Sequence, residues 1–118
     1  MRGKQLGKIG ELAAVRYLRN KGYQIIERNY SSKYGEIDII ALEDGDLVFV
    51  EVKTRRGESF GLPEEAVDQR KIRHIKRAAF SYTDSHFPRS LGLRIDVVSV
   101  QLSPEERLEN VRIFRNVS

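Results

Sequence analysis

Cysteine is absent from this chain of 118 residues. Disulfides, thiolate-bound metal and a Cys–His nucleophile are therefore excluded. Histidine is nearly as scarce: His74 and His86 stand alone, so the chain offers no Ser–His arrangement and no imidazole cluster. No uninterrupted apolar run exceeds four residues, as in Leu47-Val48-Phe49-Val50, far short of the ~20 that a membrane helix needs. Met1-Arg2-Gly3-Lys4-Gln5 leads into an amphipathic pattern instead of the apolar block of a signal peptide. No Gly-rich loop of the nucleotide-binding type appears. A cytoplasmic protein without a membrane partner is the expectation.

The residues that are present have the balance of an ordinary globular domain, with 40% hydrophobic and 32% charged. One domain spanning 1–118 is the natural count at this length. The net charge is +4, and its placement says more than its size. Between Lys53 and Arg77 lie eight basic residues and four acidic ones, and the rest of the chain is balanced, so this segment carries the whole excess. A local basic field suits a polyanionic partner. The competing reading is a solubilising surface.

Leu6, Ile9, Ala13 and Tyr17 recur at helical spacing, predicting a helix over about 4–21 that Gly22 stops. The small residues Gly7, Gly10, Ala13 and Ala14 would let that helix approach a sheet closely. Strands follow over 23–30, 35–41 and 47–53, then a polar loop over 54–62. Pro63, with Glu64 and Glu65 behind it, suits the start of a second helix reaching about Tyr82. Ile72, Ile75, Ala79 and Tyr82 form its apolar stripe. After a loop over 84–92, Leu93 to Val100 reads as a central strand, and Leu108 to Phe114 as a last strand or short helix. Strand, helix, strand makes a crossover whose strands should be parallel. The fold class is α/β, an αβββαβ core with a mixed central sheet flanked by helices.

Between the second and third strands stands Glu43-Asp44-Gly45-Asp46. Asp-Gly between alternating apolar runs is a strong signal for a two-residue hairpin loop. Glu43 would then pair with Asp46, Ile40 with Phe49, Asp38 with Glu51 and Glu36 with Lys53. Alternation puts Glu36, Asp38, Glu51 and Lys53 on one face, with Ile37, Ile39, Val50 and Val52 on the other. Opposed Cβ atoms lie about 5 Å apart, where like charges destabilise. Ile40, Leu42, Leu47 and Phe49 continue the charged face, so its far end should be covered, by the first helix.

Two carboxylates beside a lysine suit a hard divalent cation, Mg²⁺ or Mn²⁺, with the Val52 carbonyl as a further oxygen. Such an ion activates water and polarises a phosphoryl oxygen. Lys53 could orient that water or stabilise the developing charge. The chemistry would be metal-assisted phosphodiester hydrolysis. The same residues could instead form a solvated hairpin face, with Glu36 and Lys53 as an ordinary cross-strand pair.

Gly-Glu-Ile-Asp followed by Val-Glu-Val-Lys resembles the core motif of the PD-(D/E)xK nuclease superfamily, with Asp38, Glu51 and Lys53 matching its two acids and its lysine. Ile37 stands where the motif's name has proline. Together with Gly10-Glu11-Leu12-Ala13-Ala14, Glu27-Arg28-Asn29-Tyr30 and Arg94-Ile95-Asp96-Val97-Val98, the pattern resembles the YraN-type family of small bacterial proteins across nearly the whole chain. That family has a predicted restriction-endonuclease-like fold, similar to archaeal Holliday junction resolvases.

The resemblance implies a catalytic and metal-binding role for Glu11, which lies on a helical row with Ala14 and Leu18. It also implies DNA across the site, with Arg55, Arg56, Arg70, Lys71 and Arg73 as nucleic-acid-binding residues, and a homodimer whose surface no patch marks. Gln69 sits where some superfamily members place a polar helix residue. Asp96, inside an apolar strand, reads as a satisfied structural carboxylate. A metal-dependent endonuclease is the expectation; its rivals are a nucleic-acid-binding module without turnover and a small interaction protein with a structural acidic cluster.

Overall fold

The computed structural model describes residues 2–57, 69–86 and 92–117. Helix α1 (Arg2–Asn20) is followed by strands β1 (Gln24–Ser32), β2 (Gly35–Glu43) and β3 (Asp46–Arg56). Helix α2 (Gln69–His86) leads to β4 (Gly92–Leu102) and β5 (Leu108–Phe114), so the last segment is a strand. The start of the second helix expected at Pro63 lies outside the described residues, and α2 runs past Tyr82 to His86. The αβββαβ core expected of a restriction-endonuclease-like domain is present, extended by β5.

The five strands lie in sequence order in one mixed sheet. β1, β2 and β3 pair antiparallel, β3 and β4 parallel, and β4 and β5 antiparallel. The parallel pair is the one that α2 connects, as the crossover required. Asp44 and Gly45 both have positive φ, 54° and 80°, the demand of a two-residue hairpin turn that Asp-Gly meets. The register from that turn runs from Glu43↔Asp46 to Ile39↔Val50.

α1 ends at Gly22, whose φ of 95° closes a Schellman turn: Gly22 N–H donates to the Arg19 carbonyl and Tyr23 N–H to that of Leu18. The two helices bury opposite faces of the sheet. Ala14, Val15 and Leu18 of α1 pack with Ile39, Ala41, Val48, Val50 and Val98. Ile72, Ile75, Ala78, Ala79 and Tyr82 of α2 pack with Ile40, Leu47, Phe49 and Ile95. The face continued by Ile40 and Phe49 is thus covered by α2, not by α1 as the sequence suggested. The buried stripe of α1 is also displaced by one residue, onto the row of Gly10, Ala14 and Leu18. Its smallest side chains make the contact: a Cβ on Gly10 would collide with the Thr54 hydroxyl and lie 2.8 Å from the Thr54 Cβ.

One irregularity positions the site. Ile37 packs with Ile40 in the cluster under α2, whereas Ile39 packs under α1. Residues three apart on one face require the pleat to slip once, and the slip falls at Asp38. Across β1 the partner position is Asn29, which takes a positive φ of 55° while the flanking pairs Arg28↔Ile39 and Tyr30↔Ile37 stay in register. Ile37 is therefore not on the face assigned to it by simple alternation.

Candidate metal centre and nucleic-acid face

Beyond Ile39↔Val50 the β2–β3 pairing gives way to a side chain. Val52 N–H donates to Asp38 Oδ2 at 2.7 Å, so the carboxylate occupies a place that a main-chain carbonyl would take in a continued ladder. Asp38 and Glu51 come close enough for their charges to interact, although the register between the strands ends at Ile39↔Val50 and does not itself pair them. Glu51 leans toward α2, where Lys71 Nζ lies 3.5 Å from Glu51 Oε2; the Glu51 side chain is only 13% exposed.

Burial raises both acids. The Asp38 carboxyl is held above its ordinary range by desolvation and by the charge of Glu11, against the lowering effect of the Val52 amide. The Glu51 carboxyl is pushed up to about 7, first by burial and then by Asp38, with Lys71 pulling it back. Two acids that resist ionising together form a place where an added cation is favoured.

On the α1 side Asp38 also lines a groove of about 840 Å³, shared with Glu11, Arg28, Asn29, Glu36 and Lys53. Glu11 reaches this groove from the buried row of α1, but its Oε1 is engaged. Arg28 donates to it through Nε at 3.1 Å and Nη2 at 2.9 Å, and Asn29 through Nδ2 at 3.1 Å. The slip at Asn29 and Asp38 is what brings these groups to one edge. Among the described residues no set of three or more carboxylate or imidazole side chains converges as a metal cluster. Asp38 and Glu51 are the two carboxylates that could hold an ion such as Mg²⁺, which keeps much of its own water.

A family model described as uncharacterised protein family UPF0102 matches residues 10–100. The chain belongs to this family. UPF0102 proteins of Syntrophomonas wolfei and Caldicellulosiruptor saccharolyticus are 50% and 40% identical to it. The first match covers 82% of this chain and 84% of the relative, the second 98% of each. The UPF0102 protein of Moorella thermoacetica is 42% identical, over 98% of this chain and 96% of its own. The family resemblance read from the motifs is borne out. Among solved structures, a repair endonuclease from Pyrococcus abyssi matches 80% of the chain at a TM-score of 0.42 and 20% identity. This chain spans 36% of that protein, and a likeness so slight carries no argument about activity.

The remaining candidates of this UPF0102 member are spread over two elements. Arg55 and Arg56 belong to β3 and are half-buried; Arg56 Nη1 pairs with Glu106 Oε2 at 2.9 Å. Arg70 and Arg73 are exposed on α2. Lys71, grouped with them by the family resemblance, turns instead to Glu51. Reading the sequence by hairpin pairing alone missed Lys71 as a neighbour of the acids, and Arg28 and Asn29 as holders of Glu11. The crossover was the available signal for Lys71, since it packs the first turn of α2 against β3.

Asp96 is the satisfied structural carboxylate expected. Fully buried, it accepts from Tyr23 Oη at 2.8 Å, from Arg94 Nε at 3.0 Å and from the Asn116 amide at 2.9 Å. Arg94 also reaches Glu43 and Asp46, tying the hairpin to β4 at the end of the sheet away from Asp38. Among the described residues no helix is long and apolar enough to cross a membrane.

Proposed function

We propose that this UPF0102 member is a cytoplasmic endonuclease that uses Mg²⁺ or Mn²⁺ to hydrolyse phosphodiesters in structured DNA. The observation that supports it is the juxtaposition of two largely shielded acids, Asp38 and Glu51, with Glu51 pushed up to about 7. A purely structural role gives no reason to force these two acids together, since each loses solvation and repels the other.

Asp38 and Glu51 would hold the ion. When bound, the ion polarises a phosphoryl oxygen and makes water a stronger nucleophile at neutral pH. Lys53, exposed at the groove that Asp38 lines, orients the attacking water or neutralises charge on the phosphate. Glu11 acts through its field on Asp38, and Arg28 and Asn29 fix its position. Arg55, Arg56, Arg70 and Arg73 supply phosphate contacts, a sequence-independent role that weakens with salt.

Radiolabelled linear, flapped and four-way DNA, incubated with each metal, tests the proposal. Cleavage that Lys53→Ala abolishes while binding persists is the expected result. A second reading, a nucleic-acid-binding module without turnover, is favoured by the way Arg28, Asn29 and Lys71 already satisfy Glu11 and Glu51. Binding without cleavage across the whole panel would establish that second reading instead.

A further inference from the structure

Helix α2 presents an outer face that continues beyond Arg70 and Arg73, the two phosphate contacts assigned to it above. Its buried stripe of Ile72, Ile75, Ala79 and Tyr82 points into the sheet, and Arg70, Arg73, Lys76 and Arg77 project outward. From Gln69 to Thr83 the helix contains no carboxylate. Among these cations stands Phe80, 61% exposed. Arg73, Lys76 and Phe80 follow one another at spacings of three and four, so they share one ridge, with Arg77 beside it.

We propose that this ridge is a track for a nucleic-acid strand, and that Phe80 stacks on an unpaired base of that strand. The cations suit a polyanion. An exposed phenyl ring among them suits the face of a base, since interleaved aromatic and basic side chains bind single strands without reading sequence. A duplex offers phosphates to the cations but no free base face to the ring. The ligand class is therefore a nucleic acid with unpaired nucleotides.

The helix also sets a distance. Lys71, at the near end, touches Glu51, and Phe80 lies nine residues further on. At 1.5 Å per residue that is about 14 Å along the axis, and nine residues of about 100° each turn the two side chains to opposite sides of the helix. The ridge therefore holds its strand on the outer side of α2, and the binding preference stands without the nuclease reading above.

Fluorescence anisotropy in EDTA, with a labelled 12-mer single strand, its blunt duplex and a flapped duplex, tests the ridge without catalysis. Phe80→Ala should weaken single-strand and flap binding about five- to a hundredfold, change duplex binding by less than about twofold, and leave the melting temperature unchanged. Phe80→Trp should restore binding, and 2-aminopurine placed in the flap should be quenched by wild type and not by Phe80→Ala. Arg73→Ala and Arg77→Ala should weaken all three ligands and lower the salt slope by about one each. Equal affinity of wild type and Phe80→Ala for every ligand overturns the proposal and leaves the nuclease reading standing. A Phe80→Ala protein that keeps DNA affinity but loses self-association in sedimentation assigns the ridge to a second copy of the chain and likewise overturns it. Wild type that binds none of the three overturns both.

Discussion

Lys71 on α2 and Glu51 on β3 sit 3.5 Å apart, joining the carboxylate pair to the helix that covers the other end of the same sheet face. The cation stabilises ionised Glu51 against its buried surroundings. In Lys71→Ala the Glu51 carboxyl should therefore titrate at higher pH than its wild-type value of about 7. Carbon-detected NMR of the side-chain carboxyls measures this; a midpoint that stays or falls contradicts the ion pair.

The same raised acid predicts a pH dependence of stability. An acid whose folded pKa exceeds its unfolded value favours folding below the unfolded value, and the benefit is lost as pH rises through the folded one. For Glu51 that window runs from its ordinary value of 4.5 to about 7, and the benefit lost is at most roughly 3 kcal/mol. Glu51→Gln should remove it. Thermal melts should show the mutant gaining on wild type from pH 5 to about pH 7 and levelling off above it; a constant difference would contradict the assignment.

Divalent ion should reverse the penalty. At pH 8, Mn²⁺ at a hundred times its dissociation constant stabilises a folded protein by about 2.7 kcal/mol. Wild type should show a matching rise in melting temperature, and Asp38→Asn with Glu51→Gln should show none. Equal shifts in the two proteins would locate the ion elsewhere.

Gly10 is predicted to be intolerant of even one methyl group. The collision with Thr54 pushes α1 away from β3, so Gly10→Ala should destabilise by about 1–3 kcal/mol in urea melts. An unchanged midpoint would mean that the helix contact is looser than described.

Arg94→Met should be the most damaging of these changes, at about 3–5 kcal/mol, because it strands the charge of fully buried Asp96. Tyr23→Phe removes one hydrogen bond to the same carboxylate and one accepted from Arg94, and should be milder, about 1.5–3 kcal/mol. Chemical denaturation of the two variants should give that order.

The hairpin was legible because Asp44-Gly45 fixes its own turn, and a turn fixes a register. The crossover was legible because parallel strands need a connection as long as α2. What escaped the sequence were relations between elements. The stripe of α1 was misplaced because large apolar residues dominate a periodicity, whereas the real contact is made by Gly10 and Ala14. The cover of Ile40 and Phe49 was assigned to the wrong helix because alternation within a strand does not say which helix lies on which face. The slip at Asp38 was invisible because nothing in Gly35-Glu36-Ile37-Asp38 marks a break in the pleat. Asp38 and Glu51 were nevertheless foreseen as neighbours, because the register set by the turn holds up to Ile39↔Val50, one residue short of them.

Asp38 serves the main chain as well as its charged neighbour, through the Val52 amide at 2.7 Å. A genetic dissection that truncates it to alanine would injure two systems at once, the acidic pair and the end of the β2–β3 hairpin. Asparagine keeps an oxygen for the amide while discarding the charge, so the contrast between the two alleles separates architecture from chemistry in a single experiment.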